Sequence, residues 1–153
     1  MNKIIVGVGA GVAVGFLLGY VSVSSNLHTA HNNHSNHEHH AHAQMTVSGD
    51  TPAPSLSVAA IPDTKDGFNL HVMTEHFRFS PEGVNGNVLQ NEGHAHIYIN
   101  DDKIARLYGD WFHLGADLFS PGSNEIKVTL NANDHSEWAV AGESISQTVT
   151  VTK

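Results

Sequence analysis

Three histidines in the segment 93–114 have the residue type and spacing for binding a metal ion. His94 and His96 alternate with apolar residues in the period-2 manner of a β-strand, so both imidazoles fall on one face together with Tyr98. Residues two apart on one strand face lie about 7 Å apart at the backbone, and two imidazoles can close that gap around one ion. His113 follows after a polar turn and a returning strand. These spacings predict a metal site whose nucleus is His94, His96 and His113.

Three more residues of the same region are candidate ligands. His135 lies in the polar segment NANDHS, and loops held by a β-scaffold commonly carry functional residues. Its neighbour Asp134 could orient the imidazole or serve only as a turn residue. His71 and Met73 share one face of a predicted strand, where Met73 could be a soft axial ligand for copper or simply a core residue. The predicted metal ligands are therefore His94, His96, His113, His135, His71 and Met73.

Composition limits the classes of function. The chain has 153 residues, enough for one domain with a hydrophobic core and additional segments. Its formal net charge of −8 argues against nucleic acid as a partner and favours cations. Thirteen histidines are far above ordinary usage, and the absence of cysteine excludes disulfides, thiolate metal sites and cysteine nucleophiles. The sequence has no nucleophile elbow, phosphate loop or zinc-protease helix motif, so nothing in it identifies a catalytic nucleophile.

The N-terminal region predicts a membrane anchor. Residues 4–23 contain no charge, and a run of about twenty apolar residues is what a helix needs to cross a bilayer. Lys3 before the run predicts a cytoplasmic N-terminus and a periplasmic C-terminal domain. We therefore expect residues 1–25 to be a transmembrane signal anchor in the inner membrane, with cleavage and secretion as the alternative. A small-xxx-small pattern predicts self-association of this helix, unless it only reflects signal-sequence composition, through Gly7, Gly11, Gly15 and Gly19.

Residues 26–55 read as a linker whose first part is rich in histidine. This part has few apolar residues and cannot offset the entropy of ordering, so it is predicted to be disordered. Its closely spaced imidazoles suit weak, exchangeable capture of Cu(II), Ni(II) or Zn(II). A plain polar tether and a pH-responsive tether are the alternatives. The tether histidines are His28, His31, His34, His37, His39, His40 and His42.

Residues 56–153 are predicted to form one all-β domain. Short alternating segments are separated by turns rich in Gly, Pro and Asn, and no segment has a convincing helical period. This pattern predicts an antiparallel β-sandwich, immunoglobulin-like or cupredoxin-like. The candidate strands are 56–61, 68–79, 94–99, 103–108, 125–130, 137–141 and 145–151.

Two runs of the domain, EGHAHIYINDDKIARLYGDWFHL and PGSNEIKVTLNANDHSEWAV, also resemble a known pattern. Over residues 67–151 the chain resembles a family of exported bacterial domains of undefined function. That family shares a Gly-His-Ala-His strand, an Ala-Arg-Leu-Tyr strand, a Trp-Phe-His-Leu turn and an Asn-Asp-His-Ser loop. The resemblance implies a β-sandwich of the cell envelope that handles metal. The His-x-His strand gives a looser likeness to cupredoxin-like and copper-zinc superoxide dismutase sandwiches, but the chain lacks the disulfide pair and the second Gly-rich metal loop of that dismutase.

Together these features predict a membrane-tethered, periplasm-facing metal-binding protein. Copper is the expected ion because imidazole ligands with a methionine neighbour suit it and Cu(II) leads the divalent affinity order, with zinc as the second candidate. Capture, storage, delivery or tolerance is the expected role. One alternative is an envelope protein-interaction module whose domain histidines are structural. Another is a redox enzyme that uses bound copper.

Overall fold

The computed structural model describes residues 43–153, and these residues form β-strands and two short 3-10 turns without an α-helix. The turns are Pro81–Gly83 and Ala116–Leu118. The strands in chain order are β1 (Gln44–Thr46), β2 (Ser55–Pro62), β3 (Phe68–Glu75), β4 (Arg78–Phe79), β5 (Glu92–Ile99), β6 (Asp102–Leu107), β7 (Trp111–Leu114), β8 (Ser123–Asn131), β9 (Glu137–Val140), β10 (Glu143–Ser144) and β11 (Ser146–Thr152).

The strands form two sheets. The larger sheet has eight strands and runs β1-β9-β8-β5-β4, with β10 beside β9, β11 beside β8 and β6 beside β5. The smaller sheet runs β2-β3-β7 and is antiparallel throughout. Only two short pairings in the described part of the chain, β1 with β9 and β4 with β5, are parallel. The all-β sandwich predicted from the sequence is confirmed at this level.

The hydrophobic core lies between the two sheets. On β8 the alternating residues Ile126, Val128 and Leu130 are fully buried, as the period of a strand requires. The smaller sheet contributes residues such as Leu70 and Leu114, which are also fully buried. Each such aliphatic side chain contributes about 1.5–3 kcal/mol by leaving water. This core holds β5 and β8 as a rigid platform for the residues on their opposite face.

Part of the predicted linker belongs to the sheet. Residues 44–46 form β1, which pairs with β9 in the register Met45 to Trp138. Met45 and Val47 pack against the core. A three-residue strand is too short to show a period in the sequence, and its apolar side chains become informative only once β9 is beside it.

The predicted anchor at residues 1–25, its glycine face and the tether histidines up to His42 lie outside the described residues. They stay predictions from the sequence. Within residues 43–153, no helix is long and apolar enough to cross a membrane.

Candidate metal centre

His94 and His96 lie on β5, a central strand of the larger sheet. Their neighbours Ala95 and Ile97 point into the sandwich core, so the two imidazoles project from the opposite face of the sheet. Both histidines are nevertheless fully buried. The ring of His135 covers them, with centroids 4.8 Å from His94 and 5.6 Å from His96.

Gly93 allows β5 to approach β8 closely just before the first histidine. Its φ of 149° lies outside the range that L side chains adopt readily, and a Cβ there would lie 1.9 Å from the carbonyl oxygen of Asn131. His94 pairs with Asn131 in the same ladder. The glycine of the Gly-His-Ala-His segment therefore sets the register that brings His94 beside the end of β8.

His135 reaches the cluster from the loop between β8 and β9. The residue has a left-handed φ of 73°, which is uncommon for residues other than glycine, although histidine adopts it more often than most. Its backbone is held on both sides, because its N–H donates to the carbonyl of Ala132 at 3.0 Å and its carbonyl accepts from Asn131 Nδ2 at 3.1 Å. The loop therefore holds His135 in an unusual conformation that turns its ring over β5. Strained residues of this kind are concentrated at functional sites.

A second loop, residues 80–91, supports the first. Asn133 is buried and links the two loops, accepting from Ser80 Oγ at 3.0 Å and donating to the carbonyl of Asn87 at 3.3 Å. The N–H of Asn85 donates to the carbonyl of Asn133 at 2.8 Å. Asn85 Oδ1 then lies 2.8 Å from Nε2 of His135. The second loop thus fixes the orientation of the His135 ring.

The candidate ligand atoms of His94, His96 and His135 all lie within 4.8 Å of one another. Nε2 of His94 is 2.9 Å from Nε2 of His96, and Nδ1 of His135 is 3.4 Å from the same atom of His96. An ion held 2.0–2.1 Å from two nitrogens places them about 2.9 Å apart at a right angle and about 3.4 Å apart at the tetrahedral angle. The three residues are therefore a group that could hold a metal ion.

The hydrogen bonds indicate which nitrogen atoms carry lone pairs. The amide oxygen of Asn85 can only accept, so Nε2 of His135 carries a proton, and in the neutral ring the lone pair is then on Nδ1. Lys103 Nζ lies 2.9 Å from Nε2 of His96, and an ammonium can only donate. Nδ1 of His135 and Nε2 of His96 lie 3.4 Å apart, and Nε2 of His94 lies 2.9 Å from the same atom of His96. These nitrogen atoms are the ones through which the three rings could bind an ion in place of their present contacts.

The electrostatic surroundings keep His94 neutral. Burial of the ring, followed by the charges of His135, Arg106 and Lys103, lowers the pKa of His94 from 6.5 to about 4. Its imidazole is therefore unprotonated at neutral pH, as a metal ligand must be. Burial and the charge of Arg106 also lower the pKa of Lys103.

The hydroxyl of Tyr98 adjoins the three rings, and one nitrogen of the His94 ring has no partner. The hydroxyl of Tyr98 lies 3.4 Å from Nδ1 of His96, and burial, followed by the charge of Glu137, raises the pKa of this phenol. Nδ1 of His94 is buried and has no hydrogen-bond partner. A buried polar atom without a partner costs about 1–3 kcal/mol.

The remaining predicted ligands lie on the smaller sheet, outside this group. His113 on β7 is exposed and contacts Asn69 Oδ1 at 3.1 Å through Nδ1 and Asp66 Oδ2 at 3.5 Å through Nε2. His71 on β3 stacks on Trp111, with ring centroids 4.0 Å apart. Met73 is 41 % exposed. The structure therefore does not bring these three residues to the cluster formed by the other three predicted histidines.

Some neighbours of the cluster differ from the sequence-based expectation. Asp134, considered as a partner for His135, instead accepts from the N–H and hydroxyl of Ser136 at 3.0 and 2.6 Å. Asn85 takes the role of orienting the imidazole, and Lys103 contacts His96. Neither was singled out from the sequence, because Asn85 reads as a turn residue beside Gly86 and Lys103 as an ordinary surface charge. Only the pairing of β5 with β6 places Lys103 beside the histidines.

Comparison with known proteins gives no relative: no protein-family model, no curated protein and no solved structure matches the chain.

Proposed function

We propose that this chain is a metal-binding protein of the bacterial envelope, tethered to the inner membrane with its domain in the periplasm. Its ion is copper, with zinc as the second candidate. It captures, stores or delivers the ion, or confers tolerance to it. The observation that carries the proposal is the convergence of His94, His96 and His135, whose ligand atoms lie within 4.8 Å of one another.

The donor set supports copper and zinc above the hard cations. Imidazole nitrogens suit Cu(II) and Zn(II), whereas calcium and magnesium take oxygen ligands. Three protein ligands also leave an open coordination position, which suits a site that must exchange its ion. Cu(II) leads Zn(II) in the usual affinity order of nitrogen sites. The proposal therefore ranks copper first.

The location rests on the sequence. The uncharged run at residues 4–23 behind Lys3 supports a membrane anchor with the domain on the periplasmic side. The resemblance to exported bacterial sandwich domains supports the same compartment, and we propose an immunoglobulin-like or cupredoxin-like sandwich on that basis. In this proposal the tether histidines collect ions weakly and the domain holds one ion more tightly.

Calorimetric titration tests the domain site. The parent protein for this experiment is the full chain with the seven tether histidines replaced by Gln, which removes binding by the tether. Cu(II), Cu(I) and Zn(II) are titrated into the parent and into two single variants, His135→Ala and His113→Ala. Both remove one partly or fully exposed imidazole, but only His135 belongs to the cluster.

We expect one tight site in the parent and in His113→Ala, and at least tenfold weaker binding in His135→Ala because one of three ligands is lost. Urea unfolding of each variant checks that the fold is retained. A folded parent that binds none of the three ions would contradict the proposal. Equal loss in both variants would show that the three-histidine group is not the site.

A second candidate function is an envelope protein-interaction module. The observation that favours it is the exposure of large apolar side chains on the smaller sheet, where Ile61 is 45 %, Met73 41 % and Trp111 55 % exposed. Exposed apolar groups mark interaction surfaces in many proteins. If this candidate is right, Trp111→Ala weakens binding of the envelope partner and leaves metal binding unchanged. His135→Ala then has no effect on binding of the partner.

A further inference from the structure

Two cationic side chains stand at the edge of the three-histidine group. Lys103 Nζ lies 2.9 Å from Nε2 of His96, one of the candidate ligand atoms. Arg106 is the partner of His96 in the ladder between β5 and β6. The charges of both residues act on His94. A pair of cations is an unexpected neighbour for a site that binds a positive ion.

Two acidic residues lie near the cluster, and neither is among the groups that act on His94. Glu137 acts on the phenol of Tyr98. Asp134 is bonded to Ser136, and its carboxylate interacts with His135. Among the described residues, no carboxylate is one of the groups that act on His94, and the three candidate ligands are imidazoles, which bring no negative charge to an ion. No carboxylate belongs to the candidate ligand group, so its ligands would not offset the charge of a divalent ion beside Lys103 and Arg106.

Uncompensated charge in a partly dehydrated site is unfavourable, and an anion is the simplest compensation. Three protein ligands leave one coordination position for an external group. Lys and Arg side chains form short charge-assisted hydrogen bonds to carboxylates and other oxyanions. An anion bound at the open position would therefore have the ion on one side and the two cations on the other.

We propose that the site binds a divalent metal ion together with a small anion, a carboxylate or inorganic oxyanion, which occupies the open coordination position and is held by Lys103 and Arg106. This inference rests on the proposed metal-binding function and names the ligand that completes the same site. Lys103 then moves from His96 to the anion when the ion takes the lone pair of His96. The two cations act as positioning residues for the anion.

Azide is a suitable probe because it is a small anion whose binding to Cu(II) gives a charge-transfer band. The parent protein, again the full chain with the tether histidines replaced by Gln, is loaded with Cu(II) and titrated with azide. The variants are Lys103→Gln and Arg106→Gln. Lys65→Gln is the matched control, because it removes the same charge from an exposed residue outside the site. Competition with acetate and bicarbonate then compares the two natural classes of anion.

We expect azide affinity to fall about tenfold to a hundredfold in Lys103→Gln and Arg106→Gln, the effect of losing one charge-assisted hydrogen bond, and to be unchanged in Lys65→Gln. In perchlorate buffer without a coordinating anion, the same two variants should bind Cu(II) more tightly than the parent, because a repulsive charge is removed. With the anion present, the two variants should instead bind Cu(II) more weakly than the parent, so the sign of the effect on metal affinity reverses.

Three results would distinguish failure of the anion site from failure of the proposed metal-binding function. If Cu(II) binds but azide affinity is equal in the parent and all variants, the anion site is refuted and metal binding stands. If the parent binds Cu(I) but no divalent ion with or without azide, the cations select for a monovalent ion and the anion site is again refuted. If the parent binds no metal ion, the proposed function itself fails.

Discussion

Nε2 of His94 lies 2.9 Å from Nε2 of His96, although their positions on β5 start about 7 Å apart. The two rings lean toward each other with centroids 4.7 Å apart, and both are fully buried. Such an arrangement accommodates one proton or one metal ion between the rings, but two protonated imidazoles would repel each other at short range. The protonation state of this pair is therefore coupled to the stability of the fold.

The first prediction concerns pH. The pKa of His94 is about 4 in the folded protein and 6.5 as the ordinary value, so between these pH values the unfolded chain binds more protons. The free energy of unfolding should therefore rise from pH 4 to pH 6.5, and His94 should contribute up to about 3 kcal/mol of this change. Urea unfolding of the metal-free protein at several pH values measures it.

Comparison of two variants isolates the part due to His94. His94→Gln should have a flatter profile than the wild type over that range, while His113→Gln, which removes an exposed imidazole of the smaller sheet, should keep the wild-type slope. Parallel profiles for the wild type and His94→Gln would show that His94 titrates normally in the fold.

The second prediction concerns Gly93. A methyl group there would lie 1.9 Å from the carbonyl oxygen of Asn131, and the contact is with backbone, which cannot move without opening the ladder between β5 and β8. Gly93→Ala should therefore lower the free energy of unfolding by more than about 3 kcal/mol. Gly109→Ala is the control, because nothing lies within 4 Å of its added Cβ, and it should change stability by less than about 1 kcal/mol. Similar urea midpoints for the two variants would contradict the close approach.

Local pattern predicted the parts of the fold that depend on one strand at a time. The alternation around His94 and His96 places both rings on one face of β5. The same period places Ile126, Val128 and Leu130 of β8 in the core. These predictions need only the geometry of an extended chain. They hold because the core face of each strand is apolar and the opposite face is polar.

The composition of the site depended on strand register and on the order of strands in space. His135 meets His94 because β5 and β8 pair with His94 opposite Asn131, which brings the loop after β8 over the rings. His113 was expected at the centre of the site on the assumption that β7 stays near β6. The chain instead crosses to the smaller sheet after β6, and β7 pairs with β3. Period-2 patterns do not contain that information, since they say which face a residue takes and not which strand is its neighbour.

The third prediction concerns the orientation of His135 by Asn85. Asn85→Gly removes the acceptor of the His135 Nε2 proton, and glycine tolerates the left-handed φ of 61° at this position. Loss of such an outer partner commonly weakens metal binding by about 10- to 100-fold. Copper titration of the variant should therefore show weaker binding with little change in stability.

Asn91→Gly is the matched control for this prediction. Asn91 also has a left-handed φ, of 57°, and its side chain bonds to the carbonyl of Pro52 and not to a histidine. Its metal affinity should equal that of the parent. An equal loss of metal affinity in both variants would mean that any glycine in this loop weakens metal binding and that Asn85 has no specific role.

The fourth prediction distinguishes a residue that holds the metal site in place from a residue that only stabilises the fold. Asn133 and Asn124 are both 1 % exposed, and both bond to surrounding loops through their amide groups. Replacing either by Ala leaves buried partners without a hydrogen bond, which should lower the free energy of unfolding by about 1–3 kcal/mol. Only Asn133 connects the loop of His135 to the loop of Asn85, so only Asn133→Ala should also weaken copper binding, by about tenfold or more.

Asn124 lies at the opposite end of β8, where it bonds to Ser120 and to Asn100. Asn124→Ala should therefore lose stability and keep the metal affinity of the parent, as measured by urea unfolding and calorimetry on the same samples. A parallel loss of affinity in both variants would show that metal binding follows overall stability. Loss in Asn133→Ala alone would assign the two linked loops to the metal centre, because the core and the strands are the same in both variants.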